Sequence, residues 1–308
     1  MKAAIVGIAG PVLTDGEREL LAAMPPAGVI LFGRNIQNKA QLSELIVNLR
    51  AVLPAEAVLM VDQEGGRVAR LHGPDWPELP PAAALGALYA TDPDAARTAA
   101  RAHGAALGSF AREAGFDVVT APVLDVPVPG ANAVIGDRAI STDPVAVGVL
   151  GADVAWGLLF QGVQPVMKHM PGHGRATVDS HAGLPRVTAQ RLDADLAPFA
   201  ANADLPWGMT AHIVYECWDA KNPATFSPTV IGEVIRGRIG FRGILVSDDL
   251  AMGALDGVPE IRAARALDAG CDLALWCPGG LEANRAVLAV CPDLDPALAT
   301  KLKARPAT

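Results

Sequence analysis

Short, nearly all-apolar runs recur from one end of the chain to the other, separated by longer segments whose apolar residues return at helical spacing. The runs cover residues 3–8 (AAIVGI), 28–33 (GVILFG), 57–62 (AVLMVD), 116–126 (FDVVTAPVLDV), 163–169 (VQPVMKH), 206–214 (PWGMTAHIV), 243–249 (GILVSDD) and 272–277 (DLALWC). An apolar run without polar alternation is the pattern of a strand covered on both faces. The segments between them read as helices. TDGERELLAAM opens with Thr14 and places Glu17 three residues later, a capping box. QLSELIVNLRAVL, DAARTAARAHGAALGSFAREAG and PVAVGVLGADVAWGLLFQG keep helical periodicity, and SPTVIGEVIRGRIG starts with Ser227 as N-cap and Pro228 in the first turn. Gly115, Gly162, Gly240 and Gly270 stand where helices close before the later strands, a place for left-handed backbone. Eight strand–helix pairs predict an α/β fold, a single (β/α)8 TIM-type barrel over residues 1–308, with an open doubly wound sheet as the alternative. The Pro-rich stretch 73–85 is expected to be a surface loop.

Composition adds exclusions. The 308 residues are 51% hydrophobic and 19% charged, which suits a large core and not a disordered chain. Acidic residues outnumber basic ones 33 to 25, and no basic stripe is present, so a nucleic-acid partner is not expected. No apolar stretch approaches the ~20 residues of a membrane span. Gly7, Gly10 and Pro11 break the N-terminal apolar run, so residues 3–8 read as a buried strand and not as a secretory signal. Cys217, Cys271, Cys277 and Cys291 show no CxxC spacing and read as free thiols in a reducing, cytoplasmic setting. Without GxGxxG, a Walker loop or GxSxG, no cofactor is expected.

The polar residues gather at strand ends. VDQEGGRVAR follows the third run, NAVIGDRAIS the fourth and KHMPGHGRATVDSH the fifth, while AHIVY ends the sixth and SDDLAM the seventh. In a barrel all of these meet at the C-terminal mouth. Stability alone gives no reason to place Asp62, Lys168, His169, His212, Asp248 and Asp249 at the ends of apolar strands. Adjacent Lys168 and His169 are expected on opposite faces unless the backbone bulges. Asp179 lies two residues from His181, where a carboxylate orients an imidazole for proton transfer; the alternative is a loop whose side chains only cap backbone groups. His169, His173 and His181 also raise a metal-dependent hydrolase, although their spacing fits neither HExxH nor a finger and no metal is expected. Of Asp248 and Asp249, one should face the substrate and the other pair with the barrel wall or a cation. Arg67 and Arg70 suit a carboxylate or sugar hydroxyls, or else ordinary ion pairs. Trp76 and Trp276 are candidates to stack on a sugar face but read first as core residues, and CPGG (277–280) is a faint phosphate loop.

Taken together, GVILFGRNI, VDQEGGRVARL, APVLDV, NAVIGDRAIS, KHMPGHGRATVDSH, MTAHIVY with PATFSP, and GILVSDDLAM resemble the family 3 glycoside hydrolases, specifically their bacterial N-acetyl-β-glucosaminidase branch. The resemblance implies a retaining exo-acting enzyme that forms a covalent glycosyl-enzyme. Its implied substrate is a small carbohydrate, the N-acetylglucosaminyl-anhydromuropeptide of cell-wall recycling, with neither nucleic acid nor membrane as partner. It makes Asp248 the nucleophile, His181 the acid/base on a mobile loop, and Asp179 the partner of His181. Asp62, Arg70, Arg138, Lys168 and His169 fall at positions that hold the sugar. A histidine acid/base departs from the usual pair of carboxylates, but its near-neutral pKa suits the task. A phosphorolytic variant stays open. The sequence also departs from its relatives: Arg175 stands where they often carry an acidic residue, and Pro127 follows APVLDV. The chain ends soon after the eighth run, so no second domain is expected.

Overall fold

A computed structural model of the chain describes residues 1–180 and 183–304. Among them, eight strands form one parallel sheet: β1 (Lys2–Gly7), β2 (Pro26–Leu31), β3 (Val58–Val61), β4 (Val118–Val119), β5 (Gln164–Met170), β6 (Trp207–Thr210), β7 (Ile244–Val246) and β8 (Ala274–Trp276). Each strand lies beside the next in sequence, and β8 pairs with β1. The remaining gap is spanned where Val246 bridges Leu273 and the Leu250 N–H donates to Leu275 O at 2.9 Å, which all but closes the barrel. Helices α1 (Asp15–Ala23), α2 (Lys39–Val52), α3 (Pro93–Ala114), α4 (Pro144–Phe160), α5 (Asp193–Ala200), α6 (Val230–Arg238, wound as a π-helix), α7 (Pro259–Asp268) and α8 (Leu281–Val290) alternate with the strands.

The uninterrupted apolar runs now have their reason. Strand side chains alternate in direction, and in this barrel both directions are dry. Ile5, Ile30, Met60, Val118, Val166, Ile244 and Leu275 point into the barrel interior. Their neighbours Val6, Leu31, Val61, Val119, Met167, Leu245 and Trp276 pack under the helices. Local signals hold as well. Glu17 N–H donates to Thr14 Oγ1, the Glu17 carboxylate accepts from Thr14 N–H, and Ser227 Oγ accepts from Val230 N–H. Gly115, Gly162, Gly240 and Gly270 take φ from 79° to 112°, a left-handed conformation that other residues rarely adopt.

Two stretches differ from expectation. The run 116–126 pairs as a regular strand only at Val118–Val119, because Pro122 has no N–H to give to a ladder. The chain then follows β5 irregularly, with Val123 bridging Lys168 and the Leu124 N–H donating to Lys168 O at 2.8 Å, and so carries Asp125 to the mouth. Within 73–85, Trp76 is buried and the helix Ala83–Tyr89 already begins, so only part of the stretch is surface loop. Directly after β3, Gln63–Gly65 doubles back on Val68–Ala69 as a short hairpin, which brings Glu64 and Arg70 over the barrel end. Among the described residues no helix is long and apolar enough to cross a membrane.

Candidate active site

A cavity of about 340 Å³ opens at the C-terminal end of the strands. Asp62, Arg70, Arg138, Lys168, His169, Asp179 and Asp248 all line it. His181 lies outside the described residues. Lys168 and His169 reach the same cavity because the register of β5 against β6 shifts between Met167 and Met170, so simple alternation does not apply.

One wall is a charge network. Lys168 Nζ donates to Asp62 Oδ1 at 2.9 Å, to Glu64 Oε1 at 2.5 Å and to Thr120 Oγ1 at 3.0 Å. Arg70 donates to Asp62 Oδ2 at 2.8 Å, and Arg138 grips Glu64 with two bonds of 2.8 Å. Burial works against the charges of Asp62, Glu64, Lys168 and Arg138, yet the opposite charges win. Lys168 and neighbouring arginines hold Asp62 well below the usual carboxylate range and lower Glu64 as well, and the two carboxylates push Lys168 and Arg138 up. The buried Nε of Arg70 has no hydrogen-bond partner among the described residues, so a donor stays available beside the cavity.

A second wall rests on Asp125, which is fully buried. It accepts from His169 Nδ1 at 2.7 Å and from the His173 N–H at 2.6 Å. Burial pushes its carboxyl up, but His169 outweighs that and leaves it at about 2. The bond keeps a proton on Nδ1 of His169 and leaves Nε2 for the cavity. Sequence reading singled out neither Asp125 nor Glu64 nor Thr120. Their signal was present, since Asp125 is the acidic residue of the APVLDV motif and Glu64 sits in VDQEGG, but a single carboxylate in either place reads equally well as a solvated one.

The third wall is the end of β7. The strand stops at Val246, so Asp248 and Asp249 are both free of its alternation and both line the cavity. Asp249 accepts from Ala251 N–H at 2.9 Å and Cys277 N–H at 3.1 Å, which ties it to the barrel wall; burial keeps its carboxyl above the ordinary value. Asp248 Oδ1 accepts from the Asp249 N–H at 2.8 Å. Burial acts to raise the Asp248 carboxyl, but His212, His169, that N–H and Lys168 outweigh it and hold it low. Cys277 also lines the cavity, but burial and the nearby carboxylates push its thiol far up, which removes it as a nucleophile.

Of the other candidates, Arg67 reaches the cavity and the rest are placed elsewhere. Trp76 and Trp276 are buried and do not line the cavity. Arg67 pairs with Asp137 at 2.9 Å, half exposed at the rim. A Cβ on Gly279 of CPGG would meet the Ile8 carbonyl carbon at 2.2 Å, so this glycine serves close packing against the end of β1. Arg175 Nε donates to both carboxylate oxygens of Asp195 on α5, each at 2.9 Å. Among the described residues no group of three or more His, Cys, Asp or Glu is arranged to hold a metal ion.

The comparisons with known proteins agree with this geometry. Residues 7–296 match the glycosyl hydrolase family 3 N terminal domain. The chain is 41% identical over 283 residues to a beta-hexosaminidase of Stenotrophomonas maltophilia, covering 89% of this chain and 82% of that one. A beta-hexosaminidase of Xylella fastidiosa is 41% identical over 281 residues, with the same coverage. Among solved structures, NagZ from Neisseria gonorrhoeae in complex with N-trifluoroacetyl-D-glucosamine superposes with a TM-score of 0.90 at 34% identity, covering 99% of this chain and 91% of that one. With its barrel, its mouth of paired charges and these relatives, the chain belongs to glycoside hydrolase family 3 and is a glycoside hydrolase of the β-hexosaminidase type.

Proposed function

We propose that residues 1–308 act as one catalytic domain, a retaining exo-β-N-acetylglucosaminidase, with Asp248 as nucleophile, His181 as acid/base and Asp179 as the partner of His181. The observation that carries this reading is the inequality of the cavity carboxylates. Asp62 and Glu64 are held by lysine and arginine, and Asp249 by two backbone N–H groups. Asp248 is ionised and, among the described residues, its carboxylate accepts one peptide N–H on Oδ1. Oδ2 is thereby left to attack an anomeric carbon, while His181 protonates the departing oxygen and then deprotonates water to release the sugar with retention.

Asp62, Arg70, Arg138, Lys168 and His169 would hold the hydroxyls of one terminal sugar, and a ring gripped that way leaves no room for chain extension. The N-trifluoroacetyl-D-glucosamine bound to the gonococcal neighbour supports an N-acetylglucosamine ligand. The anhydro-muropeptide substrate and a cytoplasmic location rest on the family resemblance. A mechanism-based fluorosugar tests the assignment by mass spectrometry. Labelling of Asp248 is expected; a tag on Asp249, or none, overturns it. Turnover of a chromogenic N-acetyl-β-glucosaminide is expected to survive EDTA and to yield free sugar. Production of sugar 1-phosphate with added phosphate would establish the phosphorolytic variant instead.

A further inference from the structure

Beneath Asp248 lies a polar cluster that the proposed chemistry does not use. Thr210 at the end of β6, His212 and Thr225 are completely buried and do not line the cavity. Thr210 Oγ1 lies 2.8 Å from Thr225 Oγ1, which lies 2.8 Å from His212 Nδ1. The Asp248 N–H donates to Thr210 Oγ1 at 3.3 Å, and His212 Nε2 lies 2.9 Å from the Asp249 carbonyl oxygen.

These contacts admit one consistent set of directions. A carbonyl oxygen only accepts, so Nε2 of His212 carries hydrogen. Burial lowers the His212 pKa, which leaves the ring one proton at neutral pH and makes Nδ1 an acceptor. Nδ1 then accepts from the Thr225 hydroxyl, Thr225 Oγ1 accepts from the Thr210 hydroxyl, and Thr210 Oγ1 accepts from Asp248 N–H. The Ala211 carbonyl, 3.1 Å from Thr225 Oγ1, competes for the Thr225 hydrogen. It could keep that hydrogen only if Nδ1 were also protonated, giving an imidazolium that burial opposes.

We propose that Thr210, Thr225 and His212 form a directional hydrogen-bond circuit running from the Asp248 N–H to the Asp249 carbonyl, and that it positions the nucleophile. The circuit holds the peptide groups on either side of the one whose N–H binds Asp248 Oδ1. A tilt of that segment would swing Oδ2 away from its line of attack. Thr210, Thr225 and His212 are thus positioning residues, an inference that rests on Asp248 being the nucleophile.

The test combines kinetics with 15N NMR of the histidine rings. Displacement of a reacting group by about 1 Å costs up to about 10²-fold. Thr225→Val is accordingly expected to slow glycosyl-enzyme formation roughly tenfold or more with KM little changed, and Thr225→Ser to recover most of the rate. In the unaltered enzyme at neutral pH, His212 is expected as the Nε2–H tautomer. A Nδ1–H tautomer or an imidazolium overturns the circuit, whether or not any variant folds. An unchanged rate in Thr225→Val, or Thr225→Ser no better than Thr225→Val, overturns the positioning role. Fluorosugar labelling of another residue in the unaltered enzyme refutes the nucleophile assignment, while the tautomer still reports on the circuit separately.

Discussion

Replacing Glu64 by Gln keeps the side chain's shape and removes one charge from the network on the cavity wall. Glu64 is 5% exposed and accepts two bonds from Arg138 and one from Lys168. Glutamine would turn an NH2 group toward donors, leaving two buried cations underpaired. Removing one member of a buried pair costs about 3–5 kcal/mol. At roughly 2–4 °C per kcal/mol for chains of 150–250 residues, and somewhat less for a longer one, the midpoint of thermal unfolding should fall by about 5–15 °C. The loss should depend on pH with a definite sign. The opposite charges hold the Glu64 carboxyl down in the folded state, so its contribution is complete above the unfolded value of about 4.3 and fades as pH falls below that. Differential scanning calorimetry of both proteins from neutral to acid pH measures this. The gap in midpoint should be widest near neutrality and narrow below about pH 4. The same substitution should lower kcat/KM, because Lys168 and Arg138 lose the anchor that aims them. A midpoint shift under about 2 °C, or a gap constant across the pH range, refutes the reasoning, since each kcal/mol of buried pairing must appear as degrees of stability.

The remaining predictions concern the other walls. Asp125→Asn removes a charged acceptor worth about 1.5–3 kcal/mol to His169, so kcat/KM should fall about 10–100-fold; an unaffected value would detach Asp125 from the site. Because the folded Asp125 carboxyl sits at about 2, its stabilising contribution is lost only as pH falls from about 4 toward that value. His181→Ala should slow substrates with poor leaving groups about 10²–10⁴-fold more than nitrophenyl glycosides, and equal losses would make His181 a binding residue. Asp179→Asn should move a limb of the pH–rate profile, and an unchanged profile separates it from His181. Arg175→Asp should destabilise this chain more than Arg175→Ala, because it would set a second carboxylate against the buried Asp195; the reverse order in thermal unfolding refutes that pairing.

The barrel was legible from residue pattern because its cause is local. A strand dry on both faces leaves an uninterrupted apolar run, and Thr14, Ser227 and the four helix-closing glycines act through neighbours within a few positions. Strand ends are equally local, so Asp62, Lys168, His169 and Asp248 stood out as polar residues on apolar strands. Their roles came from resemblance and not from periodicity.

What tertiary structure decided is which charge meets which. Lys168 is 106 residues from Asp62, His169 is 44 from Asp125, and Arg138 is 74 from Glu64. Parallel pairing of β3, β4 and β5 side by side brings those strand ends together, and the spacing of residues alone does not say which side chain meets which. The register shift in β5 placed Lys168 and His169 on one cavity, against the alternation that a regular strand obeys. Residue order determined a ring of strands with polar ends. Long-range packing then selected which carboxylates are bonded to cations and left the Asp248 carboxylate accepting a peptide N–H instead, because electrostatic pairing depends on distance in space and not on separation along the chain.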